Sequence, residues 1–140
     1  MANNVTPQII ILARRILLHE IALGPPSPAT AQRADDFRVF ENLRIPLGKL
    51  MGNSGYRLLV ARARSLAAIE YPWLLSLEID ARGSFSNISE ARQPHGAQYI
   101  MEGEVMLVAH IFGLLVTFIG APLTTRIVQG IWPRLNDLRF

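Results

Sequence analysis

The chain has 140 residues, half of them hydrophobic and 18% charged, with a mean hydropathy of +0.24. Its length fits one domain, and its composition excludes intrinsic disorder, because enough apolar surface is available to offset the entropy of ordering the chain. It contains no cysteine, which excludes disulfides and thiolate chemistry, and its net charge of +3 rests on scattered arginines and the single lysine Lys49, so nucleic acid is not an expected partner.

Residues 1–15 lack a basic stretch ahead of their apolar run and do not resemble a secretion signal, so the cytoplasm is the expected setting. Thr6-Pro7 is a helix start, with a hydroxyl cap followed by a proline whose missing donor costs nothing there. The first predicted helix runs to about Leu23 and gathers Ile9, Ile10, Leu12, Ala13, Ile16, Leu17 and Ile21 on one face. Ile11 and Leu18 fall among the polar residues opposite and are candidate interface residues, set against the plain alternative of isolated exposed hydrophobes.

Residues 24–32 are proline-rich and predict a connecting loop. A second helix follows over about 35–44, with a further turn after Pro46 and a break at Gly52-Asn53-Ser54-Gly55. That break is not a phosphate loop, because Lys49 is followed by Leu50 rather than a hydroxyl residue; a C-cap joined to a new N-cap accounts for it. A third helix over about 55–71 buries Tyr56, Leu59, Val60, Ala63, Leu66 and Ala67, while Arg57 and Arg64, one heptad apart, form either a solvated face or an interface for a partner. Alternation of Leu75, Leu77 and Ile79, then Ala81-Arg82-Gly83 and a second alternating run, predicts a short β-hairpin over 74–88, with a polar loop over 89–97.

Residues 105–125 carry no charge apart from His110 and are long enough for a membrane span, but Gly120-Ala121-Pro122 interrupts them. A central helix over 99–120, buried in a globular or oligomeric core, is the preferred reading. Ala109, Gly113 and Thr117 recur every four residues as a ridge of small side chains, where another helix could approach closely, either the last helix or a second copy. Pro122 opens the last helix, in which Leu123, Ile127 and Ile131 form a stripe before Trp132-Pro133 ends it.

The segment Phe112-Gly113-Leu114-Leu115-Val116-Thr117-Phe118-Ile119-Gly120, with Leu123-Thr124, Arg126, Val128 and Trp132-Pro133, resembles the C-terminal motif of a family of small uncharacterised bacterial proteins. That resemblance extends over most of the chain after residue 37 and implies no particular activity. Ala121-Pro122 stand where such sequences often carry an acidic residue.

These readings converge on a mainly α single domain, a compact bundle of about five helices with a short hairpin. The expected function is that of a non-catalytic interaction protein, a self-associating adaptor or structural subunit of a bacterial assembly or signalling system. No cofactor is expected, nor a metal, because His19, His95 and His110 show no ligand spacing. The alternatives are a small membrane-embedded subunit and an enzyme with a site near Glu70 or near Glu102, Glu104 and His110.

Overall fold

The structure, a computed structural model, describes residues 5–22, 28–92, 95–135, 137–138 and 140, and within these it leaves aside the side chains of 28–37 and of Ser89. It is mainly helical: α1 (Pro7–Ala22), α2 (Pro28–Ala67), a 3-10 turn (Pro72–Ser76), α3 (Ile88–Arg92), α4 (Ala97–Ile119) and α5 (Ala121–Ile131).

The start of α1 follows from its sequence. Thr6 Oγ1 accepts the Ile9 amide at 3.2 Å, and Pro7 takes the first helical position. The helix turns Ile9, Leu12, Ala13, Ile16 and Leu17 inward together with Glu20, an acidic residue that the apolar pattern does not anticipate.

α2 bends at Gly52, whose φ of 77° and ψ of 164° are closed to most other residues. Both limbs face the core: Val39, Phe40, Leu43 and Leu47 come from the first, and Tyr56, Val60, Ala63 and Ala67 from the second. The Tyr56 hydroxyl donates to the Phe40 carbonyl at 3.1 Å and ties the limbs together, and burial pushes its pKa well above the ordinary tyrosine range.

α4 occupies the centre, against α1, α2 and α5. Val105, Leu107, Val108, Ala109, Ile111, Phe112 and Leu115 are fully buried, so nearly its whole circumference is covered. Each large aliphatic side chain taken from water contributes roughly 1.5–3 kcal/mol, which makes this helix, with α2, a principal source of hydrophobic stabilisation. It is long and apolar enough to cross a membrane, yet 72% of its most apolar window is buried inside the protein. Gly120, at φ 87°, caps it and starts α5, so the uncharged run over 105–125 belongs to two helices and not to one span.

Several boundaries differ from the sequence reading. α2 already begins at Pro28, where proline fits the first turn, so the expected loop over 24–32 is shortened; residues 24–27 lie outside the described residues. The hairpin over 74–88 reduces to one antiparallel bridge, Ile79 with Phe85, and its first three residues belong to the 3-10 turn that Pro72 opens. Part of the expected polar loop over 89–97 is α3. In α5 the inward stripe is Thr124 and Val128, whereas Leu123 is exposed and Ile127 and Ile131 are half-buried.

Candidate functional site

Arg57 and Arg64 are used within the fold. Arg57 Nε donates to the Asp80 carbonyl at 3.1 Å and Arg64 Nη1 to the Leu77 carbonyl at 2.7 Å, so the two arginines, one heptad apart on α2, clamp the segment that follows the 3-10 turn. Asp80 organises that segment from inside: its Oδ1 accepts the amides of Arg82 at 2.9 Å and Ser84 at 3.0 Å. Hydrogen bonds from the backbone N–H groups, that of Ser84 foremost, hold the Asp80 carboxyl below its usual pKa. Phe85 then packs edge-on against Phe40 at 5.2 Å between ring centroids, and Ser84 Oγ donates to Glu41 Oε2 at 2.8 Å.

The acidic residues considered for catalysis are dispersed. Glu102 and Glu104, two residues apart on α4, point to opposite sides, as about 100° per residue requires. Glu102 forms a two-point ion pair with Arg14 of α1, Nη2 to Oε1 at 2.9 Å and Nη1 to Oε2. That hydrogen-bonded contact lowers the Glu102 pKa. Glu104 is buried against Arg92 of α3, Nη2 to Oε2 at 2.9 Å. His110 is buried, and desolvation lowers its pKa while the charge of Glu70 partly opposes the shift. His110 Nδ1 has no hydrogen-bond partner among the described residues. Glu70 itself is exposed, and no group of three metal-ligating side chains exists among the described residues.

The ridge on α4 is divided. Ala109 and Gly113 are buried, while Thr117 is exposed and its hydroxyl donates to the Gly113 carbonyl at 3.0 Å. A close approach to the α4 backbone occurs at Gly103, where a Cβ would stand 2.5 Å from Trp73 Nε1.

Ile11 and Leu18 are solvent-facing, 61% and 51% exposed, and Ile21 joins them at 40%. By the helical turn angle Arg14 lies between Leu18 and Ile21, so the Arg14–Glu102 pair borders this apolar strip. An aromatic cluster stands near the same pair, whose charges act on Tyr71. Tyr71 and Tyr99 have ring centroids 5.5 Å apart, Tyr99 and His95 5.5 Å, and His95 and Trp73 6.1 Å. Tyr99 is 40% exposed and His95 and Gln98 are open to solvent, whereas Trp73 anchors the cluster from within. Burial raises the Tyr71 pKa, helped by the charge of Glu102. The result is a surface of aliphatic and aromatic side chains across α1 and the start of α4, centred on an arginine–carboxylate pair. Sequence reasoning found its α1 half alone, because Tyr71 and Tyr99 are brought together by the tertiary fold and no local spacing announces them.

Comparison with protein-family models, with curated proteins and with solved structures gives no match to this chain.

Proposed function

We propose that the protein is a non-catalytic helical interaction protein that self-associates in the cytoplasm, serving as an adaptor or structural subunit of a bacterial assembly or signalling system. The observation that carries this reading is the surface formed by Ile11, Leu18 and Ile21 with Tyr71, His95 and Tyr99 around the Arg14–Glu102 pair. Tyrosine and arginine beside apolar side chains are the residue types that dominate binding energy at protein interfaces. Supporting it, the carboxylates Glu41, Asp80, Glu102 and Glu104 are each engaged in holding the fold. The burial of α4 beneath α1, α2 and α5 supports a protein that works outside the bilayer.

Sedimentation velocity over a hundredfold range of concentration tests the reading. Wild type should form a defined oligomer, and Leu18→Glu and Ile11→Glu should each weaken it at least about tenfold, or about 1.4 kcal/mol, without lowering the melting temperature. A wild type that stays monomeric throughout, or variants that assemble as it does, would refute the proposal.

A further inference from the structure

Glu20, in the last turn of α1, is 3% exposed, and its hydrogen bonds come from neutral donors alone. Trp132 Nε1 donates to its Oε1 at 2.7 Å and Asn42 Nδ2 donates to the same oxygen at 2.8 Å. No cation pairs with it among the described residues. A carboxylate withdrawn from water is costly unless a positive charge compensates it, and here both neutral donors fall on one oxygen.

Glu20 also lines a cleft of ≈360 Å³, open to solvent, together with His19, Ile131, Trp132, Pro133 and Arg134. Arg134 is exposed and forms no ion pair among the described residues. Glu20 and Arg134 thus line one cleft with no ion pair between them among the described residues, beside an imidazole, an indole, a proline and an isoleucine. A ligand that satisfies both carries a positive group and a negative group on a short frame.

We infer that this cleft binds a small zwitterion of the amino-acid class, its ammonium group on Glu20 and its carboxylate toward Arg134. The site is independent of self-association, because Leu18 and Glu20 project from nearly opposite faces of α1. The Leu18→Glu chain therefore retains it.

Thermal-shift and tryptophan-fluorescence titrations of the full chain test the inference with the L-amino acids, each beside its methyl ester, which lacks the carboxylate, and its N-acetyl form, which lacks the ammonium group. At least one free amino acid should saturate, and its ester and N-acetyl derivative should bind at least tenfold more weakly. Glu20→Gln keeps an acceptor for Trp132 and Asn42 while removing the charge, and it should lose at least tenfold in affinity. Arg134→Gln lies on the surface, leaves folding intact and should lose a similar factor, which preserves the test if Glu20→Gln does not fold. The inference is overturned if no amino acid saturates wild type, if the ester binds as well as the acid, or if Arg134→Gln binds as wild type does.

Discussion

Gly52 and Gly120 hold nearly the same backbone conformation, φ 77° and ψ 164° at the first and φ 87° and ψ 159° at the second. Each redirects a helix, yet the two bends are finished differently. The bend in α2 is filled: Tyr56 spans it, Asp80 to Phe85 pack beside it, and Arg57 and Arg64 hold that segment by its carbonyls. The bend between α4 and α5 leaves Phe118 69% and Leu123 39% exposed, and its local hydrogen bonds include that from Thr124 Oγ1 to the Gly120 carbonyl at 2.8 Å. A glycine at positive φ therefore sets the change of direction, whereas long-range contacts decide how much stability rests on it.

The largest effect should come from the filled bend. Gly83 sits at φ 91°, and a Cβ there would stand 2.5 Å from the Tyr56 ring, so Gly83→Ala adds backbone strain to overpacking and should cost about 2–4 kcal/mol in denaturant unfolding. A loss below about 1 kcal/mol would show that this packing contributes little to the bend. Gly52→Ala and Gly120→Ala meet no close neighbour and should each cost about 1–2 kcal/mol from the positive φ alone. Clearly unequal losses at these two sites would break the parallel between the bends.

Next in size is Arg64→Ala, which removes a charged donor from the Leu77 carbonyl and should cost about 1.5 kcal/mol, with a smaller loss for the more exposed Arg57→Ala. At the open bend, Phe118→Ser should stay within about 0.5 kcal/mol of wild type; a larger loss would mean that the exposed ring is covered by a partner.

The smallest effect is a pH dependence confined to the filled bend. Because the folded pKa of Asp80 lies below its unfolded value, its contribution is fully present above the ordinary aspartate value of 3.8 and is lost as pH falls through the lower folded value. Amide exchange at Arg82 and Ser84 should accelerate in that acid window, and Asp80→Asn should remove the dependence. His110 provides a control outside both bends. Its lowered folded pKa makes stability decline as pH falls below 6.5, and His110→Gln should abolish that decline.

The helices were legible because their signals are local. Thr6-Pro7 capped α1, Gly52 bends α2 and Gly120 ends α4 where breaks were expected, and the apolar periodicity of 56–67 matched the face that is buried. The hairpin expected over 74–88 is realised only as the Ile79–Phe85 bridge, because Pro72 favours a 3-10 turn and Asp80 satisfies its own loop, so alternation there never becomes a longer strand ladder. The surface was legible by halves. Ile11 and Leu18 stood out against a polar helix face, but Arg57 and Arg64 looked solvated because their acceptors are carbonyls 23 and 13 residues away, respectively. The partnership of Gly103 with Trp73 and that of Glu20 with Trp132 are likewise invisible to any local pattern.

The central position of α4 bears on how the chain acquires its structure during synthesis. α1 and α2 leave the ribosome first, and helices as such form within microseconds, but their apolar faces are completed by a segment that begins only at Ala97. Until α4 is released, Ile9, Ile16, Leu43 and Val60 lack the surface that covers them in the finished protein. A chain that stops short of α4 therefore keeps these hydrophobic faces open, and its first helices wait on that segment before they can pack.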